Sequence, residues 1–159
     1  MLRIFFIVTF FLIIKPSYGL DQEYFLTLRN DKVNLRQGPS FEHPVKIFYK
    51  KKYLPVLIQD ISGNFRKIRD HENNSGWIHI SQLSKKKAAI IIDESKLVYK
   101  KATIFSEPLV KLEKGRLCLI LKCENEWCKI RTGGYKGWVK KESLWGCLLY
   151  TSPSPRDLR

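Results

Sequence analysis

Hydrophobic and polar residues alternate in short runs along the middle of the chain, and Gly, Asn, Asp or Ser ends most runs, which is typical of β-strands and turns. In the first half the runs are Lys32–Arg36, Lys46–Phe48, Leu54–Gln59, Phe65–Arg69 and Gly76–Ile80. In the second half they are Lys96–Lys100, Val110–Leu112, Arg116–Lys122, Glu126–Arg131 and Gly137–Val139. Five short strands in fewer than sixty residues predict a small closed or nearly closed β-barrel in each half.

One pattern occurs twice. Phe65–Arg69 followed by Gly76–Ile78 returns as Trp127–Arg131 followed by Gly137–Val139. The copies lie about sixty residues apart, which is longer than a solenoid repeat and suits a small domain. We therefore predict an all-β protein with two tandem modules, at 27–84 and 88–146, arranged like beads on a short charged joint at 84–87. The stretch 88–92 is expected to pair with one module or to bridge both.

The N-terminus has the three parts of a secretory signal. Arg3 supplies a positive charge, Ile4–Ile14 is apolar, and Ser17–Gly19 offers small residues for cleavage after Gly19. The apolar run is about half the ~20 residues that span a bilayer, so an uncleaved anchor is disfavoured. We predict a signal peptide at 1–19 and export to the oxidising periplasm, with membrane contact only through this segment.

The composition changes abruptly after Gly146. The string 147–159 is either a natural Pro/Ser tail or translated sequencing-adaptor sequence, which it resembles. In either case we expect it to be disordered. It is therefore excluded from the predicted fold, and Cys147 with it.

The chain carries a net charge of +14. Without the two ends, 25 basic and 14 acidic residues remain, a net charge of +11. Such a segment has affinity for polyanions, which for an exported protein means cell-wall polymers, anionic lipid headgroups or acidic proteins rather than nucleic acid. Lysine as the default surface residue of an AT-rich genome explains the charge equally well.

Two segments carry a resemblance to a known family. Val33–Ser40 resembles the opening motif of bacterial SH3-like (SH3b) domains, and Gly76–His79 followed by Leu83 resembles their closing motif. The second copy lacks the opening motif but keeps the closure at Gly137–Val139. Together with Cys123–Cys128, it resembles an exported two-copy subfamily of Gram-negative bacteria. The resemblance covers 27–146 and implies two SH3-like barrels with a binding role in the cell envelope.

Cys123 and Cys128 flank the tip of a predicted hairpin. In an exported protein this favours a disulfide, which would close a six-residue loop and stabilise the fold by about 2 kcal/mol. A metal site would need two more ligands, and the spacing is not that of a Cys-x-x-Cys redox pair. We expect no metal and no cofactor, and Cys118 is left as a buried free thiol.

The residues give little support for catalysis. His43, His71 and His79 have no Ser or Cys beside them in a nucleophile–base pattern, and the acidic residues are scattered. A separate peptidase core of about a hundred residues has no room in this chain. We predict a non-enzymatic protein without catalytic residues.

Six residues are candidate ligand contacts: Arg36, Tyr49, Tyr53, Trp77, Tyr135 and Trp138. Aromatic side chains line the peptide grooves of SH3-type domains. Core packing is the competing interpretation and is favoured for the two closing tryptophans, whereas the three tyrosines lie near predicted turns and favour exposed contacts. Arg36 is placed to pair with carboxylates of wall peptides.

Three functional hypotheses follow. The first is a module that contacts peptidoglycan or its peptide stems, and the second is a periplasmic protein–protein adaptor. The third is the targeting part of a truncated cell-wall hydrolase. The ligand, the oligomeric state and the relative orientation of the modules are left open by the sequence.

Overall fold

The computed structural model describes residues 23–147. The predicted signal peptide and the tail beyond Cys147 lie outside the described residues. Within them the regular structure consists of strands and two 3₁₀ turns, Ile80–Gln82 and Lys141–Ser143, so the all-β prediction is confirmed. No helix in this range is long and apolar enough to cross a membrane.

Seven strands build the first sheet. Their bounds are β1 Tyr24–Leu28, β2 Val33–Arg36, β3 Val45–Tyr49, β4 Pro55–Ser62, β5 Phe65–Arg69, β6 Ser75–His79 and β7 Leu83–Ser84. The spatial order is β3-β2-β6-β5-β4-β1-β7, and neighbouring strands are antiparallel. The five predicted strands are present, and β1 and β7 extend the sheet.

The second sheet repeats the first. Its strands are β8 Ala88–Ile91, β9 Ser95–Tyr99, β10 Pro108–Glu113, β11 Leu117–Glu124, β12 Trp127–Thr132, β13 Tyr135–Lys140 and β14 Leu144–Trp145. The order is β10-β9-β13-β12-β11-β8-β14, the first order with seven added to every number. The two modules are therefore copies of one topology, while the limits 27–84 and 88–146 stay predictions.

The closing motif brings two central strands together in each module. Arg36 on β2 pairs with Trp77 on β6, and Tyr99 on β9 pairs with Trp138 on β13. A Cβ atom on Gly76 would lie 2.6 Å from the Arg36 carbonyl oxygen, and one on Gly137 would lie 2.7 Å from that of Tyr99. The glycine before each tryptophan is thus required for close strand approach.

Each sheet encloses its own apolar cluster. The first cluster contains Leu35, Ile58, Ile68 and Ile78 among others, and the second contains Val98, Ile130 and Val139. Phe65, Trp77, Trp127 and Trp138 were predicted to fill the cores, and two of them, Phe65 and Trp138, are buried. Trp77 and Trp127 are only half-buried, and none of the four belongs to either apolar cluster. Strand alternation turns their neighbours inward instead, so Ile78 and Val139 occupy the core and the tryptophans lie on the outer face.

The two modules share an apolar interface, which corrects the expected arrangement of beads on a linker. All five residues of β1 are buried, and the ring of Phe25 lies 4.8 Å from that of Trp145. All four residues of β8 are buried as well. Ile90 of β8 joins the first core and Ile91 joins the second, so this strand bridges both modules.

Both sheets and both clusters are formed within 24–147. The polypeptide 20–159 therefore contains everything that these sheets and cores require. The proposed experiments use this polypeptide.

Candidate binding surface

The outer face of the first module gathers aromatic and basic side chains from three strands. Phe65 pairs with His79 and Lys67 pairs with Trp77, and these four side chains point away from the core. Arg36 pairs with Trp77 on the other side. We name this surface, formed by Arg36, Phe41, Phe65, Trp77 and His79, the module 1 face.

The loop 37–44 completes the module 1 face with Phe41, which is 64% exposed. The Phe41 ring lies 5.2 Å from the Phe65 ring and 5.0 Å from the His79 ring. Arg36 Nη1 donates hydrogen bonds to the carbonyl oxygens of Phe41 (3.0 Å) and His43 (2.8 Å), and its guanidinium lies 5.5 Å from the Phe41 ring centre. Arg36 therefore holds the loop against the barrel.

Two Ser–His pairs lie beside this surface, and the sequence analysis missed them. Ser40 Oγ is 2.9 Å from His43 Nδ1, and Ser81 Oγ is 2.8 Å from His79 Nδ1. The Ser40 hydroxyl also accepts the Glu42 amide, so it shapes the loop. Among residues 23–147 no carboxylate hydrogen-bonds to either histidine. Neither pair thus has the third, orienting group of a hydrolytic triad.

Tyr49, expected as an exposed contact, is buried. Its hydroxyl donates a 2.8 Å hydrogen bond to Asp70 Oδ2. The pKa of Tyr49 is raised far above its usual value, mainly by burial and to a smaller extent by this hydrogen bond. Asp70 also accepts the backbone amides of Glu72 and Asn74. Tyr49 therefore anchors the turn between β5 and β6, because strand alternation points it inward with Ile47.

The other two tyrosines lie apart from the tryptophans. Tyr53 is half-buried in the loop between β3 and β4, with the Lys52 ammonium 5.3 Å from its ring. Tyr135 is exposed at the first position of β13. Within the described part of the chain no ring contact joins Tyr49, Tyr53 or Tyr135 to Trp77 or Trp138. Ligand contact by these residues stays a prediction.

The outer face of the second module has a different composition. Tyr99 occupies the position of Arg36, and its ring packs edge-on against Trp127 at 5.8 Å. Trp138 is nearly covered, with the ammonium groups of Lys122 and Lys129 lying 5.3 and 6.0 Å from its ring centre. We name these five residues the module 2 face. It is aromatic and cationic, but the loop 100–107 makes no ring contact with it.

The sulfur atoms of the second module are clustered. Cys123 and Cys128 form the predicted disulfide. Cys147, expected to lie outside the fold, is buried, and its Sγ lies 3.1 Å from that of Cys128 and 3.4 Å from that of Cys123. A single free thiol beside a disulfide does not make a metal site. Cys118 is a buried free thiol as predicted, and burial raises its pKa to about 11.

No curated protein matches the chain. Among solved structures it is similar to NlpC2 from Trichomonas vaginalis, with 15% identity, a TM-score of 0.36, and 81% of this chain and 49% of that chain covered. It is also similar to NlpC1 from the same organism, with 13% identity, a TM-score of 0.35, and 86% and 50% covered.

A third similar structure is an NlpC/P60 family protein from Bacillus cereus, with 10% identity, a TM-score of 0.35, and 76% and 55% covered. The chain spans about half the length of these structures. The family description "bacterial SH3 domain" matches residues 29–85 and 97–146, which fall on the first and second sheets. The chain therefore belongs to the bacterial SH3 domain family and carries two copies of that domain in tandem.

Proposed function

We propose that this protein is a non-enzymatic binding module that contacts peptidoglycan through its peptide stems. The observation that carries the proposal is the module 1 face, where Phe41 is held exposed beside the cation of Arg36. Membership of the bacterial SH3 domain family supports a role in binding at the cell wall. The two Ser–His pairs without a carboxylate support the absence of hydrolytic activity.

The chemistry of the surface suits a peptide with free carboxylates. The rings of Phe41 and Trp77 offer apolar contact to short aliphatic side chains, as in other aromatic-lined peptide grooves. Arg36 Nη1 donates hydrogen bonds to two backbone carbonyls, and the remaining N–H groups of the guanidinium are available to a carboxylate. Lys67, which is exposed on the same face, adds a second cation.

The predicted signal peptide supports a periplasmic location for this function. The disulfide between Cys123 and Cys128 supports that location, because such bonds persist in oxidising compartments. The unequal modules support a division of labour. The first keeps the opening motif and the exposed aromatic loop, and the second has the covalent staple, so we assign recognition to the first module and rigidity to the second.

Co-sedimentation with purified peptidoglycan sacculi tests the proposal. The polypeptide 20–159 should pellet with sacculi at low and moderate salt, and Phe41→Ser should weaken this binding about tenfold because the central apolar contact is lost. Phe48→Ser is the matched control, since Phe48 is 66% exposed on β3 and makes no ring contact with the module 1 face.

Three results would overturn the proposal. Failure of the wild type to pellet at either salt concentration removes wall binding and leaves the adaptor hypothesis. Equal pelleting of wild type and Phe41→Ser removes the module 1 face as the site. Release of soluble fragments from the sacculi contradicts the non-enzymatic part.

A further inference from the structure

The loop between β9 and β10 projects two apolar side chains into solvent. Phe105 is 92% exposed and Ile104 beside it is 56% exposed. Exposed apolar residues are common singly, but an adjacent pair at a projecting loop tip is a feature of interaction sites.

Hydrogen bonds within the loop hold this tip in place. The Lys101 amide donates to Ser106 Oγ at 2.9 Å, and the Ser106 amide donates to the Thr103 carbonyl at 3.2 Å. The Lys100 amide donates to the Glu107 carbonyl at 3.0 Å and closes the base of the loop. The exposure of Phe105 is therefore built into the loop conformation.

The equivalent loop of the first module shows why Phe105 projects. Phe41 and Phe105 both stand three residues before a proline, Pro44 or Pro108. Phe41 folds back onto Phe65 because Arg36 holds its carbonyl. In the second module Tyr99 replaces Arg36 and packs on Trp127 instead, so that neither the cation nor the ring surface is available to Phe105.

The loop that carries the tip also bears one unpaired cation. Residues 100–107 contain two lysines and one glutamate. Lys100 pairs with Glu107. Within the described residues Lys101 has no ion pair, so the apolar tip has one neighbouring cation whose charge is not balanced in the loop.

We propose that this tip inserts into the interface of an anionic phospholipid bilayer. Phe105 and Ile104 would enter the boundary between headgroups and acyl chains, while Lys101 lies at the level of the lipid phosphates. An exposed apolar tip beside an unpaired lysine, on a segment 20–146 whose net charge is +11, matches an anionic bilayer surface. The inference extends membrane contact beyond the predicted signal peptide, and it does not depend on wall binding.

Vesicle co-sedimentation of the polypeptide 20–159 tests the inference. Vesicles of phosphatidylethanolamine and phosphatidylglycerol should bind the wild type, and vesicles of phosphatidylcholine alone should bind it much more weakly. Phe105→Ser should lower the partition coefficient about tenfold through lost apolar burial. Lys101→Gln should lower it about fivefold through lost attraction to the anionic surface. Phe105→Leu should restore most of the binding.

The matched controls are Phe48→Ser, an exposed phenylalanine on the first module, and Phe41→Ser, the equivalent loop position. Both should bind vesicles like the wild type. Binding of Phe105→Ser equal to that of the wild type would overturn the inference in favour of general electrostatic attraction, and absence of wild-type binding to anionic vesicles would overturn it altogether. Phe41→Ser should lose sacculi and keep vesicles, whereas Phe105→Ser should do the reverse, so failure here is distinguishable from failure of wall binding.

Discussion

The two modules solve one structural problem in different ways at the hairpin β4–β5 and its copy β11–β12. Ile61 pairs with Arg66 in the first, and Cys123 pairs with Cys128 in the same register in the second. Arg66 is only 1% exposed and donates from Nη1 to the carbonyls of Gly63 (2.8 Å) and Phe65 (3.1 Å). One hairpin is thus tied by hydrogen bonds from a buried cation and the other by a covalent bond. The repeated backbone therefore determines at which position the hairpin is cross-linked, but it does not determine whether hydrogen bonds or a disulfide form the link.

Removing the arginine tie should give the largest effect. Arg66→Ala leaves a cavity and takes the donor away from the Gly63 and Phe65 carbonyls. We expect it to lower the free energy of unfolding by about 4 kcal/mol, measured by denaturant titration. Arg66→Met keeps the apolar stem and should lose less than half of that. A loss below about 1 kcal/mol for Arg66→Ala would show that the hairpin does not depend on this tie.

The second prediction concerns a core position where the modules differ in titratable chemistry. Val56 and Cys118 are equivalent, since each stands two residues before the isoleucine that pairs with Ile68 or Ile130. Both are fully buried. Burial raises the pKa of the Cys118 thiol to about 11, so the folded state keeps the proton after the unfolded state has released it.

The unfolded state therefore binds fewer protons above about pH 9, and the stability that the thiol contributes below that pH is lost as pH rises towards 11. The loss is on the order of 3 kcal/mol at about pH 11. Cys118→Val introduces the residue that the first module has at the equivalent position, Val56. It should abolish the part of the alkaline loss of unfolding free energy that comes from the thiol. An unfolding free energy that falls equally in both proteins between about pH 8 and pH 11 would refute the prediction.

Reduction of the disulfide should have an intermediate effect. Dithiothreitol should lower the free energy of unfolding by about 2 kcal/mol, because the closed loop contains only six residues. The first module, 24–84, contains no cysteine and supplies no bond to reduce. Alkylation and mass spectrometry should identify the pair as Cys123–Cys128, and recovery of a Cys128–Cys147 pair would contradict it. Cys118→Val is the control and should show the same drop.

Much of the fold follows from the repeated pattern, and the failures have physical reasons. Strands such as β2, with the sequence VNLR, alternate apolar and polar residues because one face is core and the other is solvent. By contrast, β1 and β8 are buried on both faces, so their runs do not alternate. That double burial is the interface between the modules, and a prediction based on one module at a time does not include it.

The candidate site was harder to predict for a similar reason. Alternation along β6 puts Ile78 inward and Trp77 outward, yet hydrophobicity alone ranks tryptophan as a core residue. Phe41 is the centre of the module 1 face, but it lies in a loop without periodicity. Its position depends on hydrogen bonds from Arg36 that span five and seven residues. The sequence signal that could have indicated this loop is a phenylalanine among turn residues, which occurs twice, three residues before Pro44 and three before Pro108.

The smallest expected effect on stability tests what separates the two loops. Arg36→Lys keeps the charge but replaces the planar guanidinium, whose Nη1 reaches two carbonyls, by a compact ammonium. Because the contacts are exposed, we expect a loss of about 1 kcal/mol or less in unfolding free energy. The loop 37–44 should nevertheless exchange its amide hydrogens faster, as a loop without this tie does, and binding to sacculi should weaken although the net charge is unchanged.

Tyr99→Arg is the reciprocal change. It supplies a guanidinium at the position from which Arg36 holds Phe41, and it removes the ring that packs on Trp127. If the residue at this position sets the loop conformation, the variant should fold Phe105 back towards Trp127 and lower its partition into anionic vesicles. The contrary result is unchanged amide exchange in Arg36→Lys together with unchanged vesicle binding in Tyr99→Arg. It would show that each loop is held by its own internal hydrogen bonds, such as those that Ser40 and Ser106 accept within their loops.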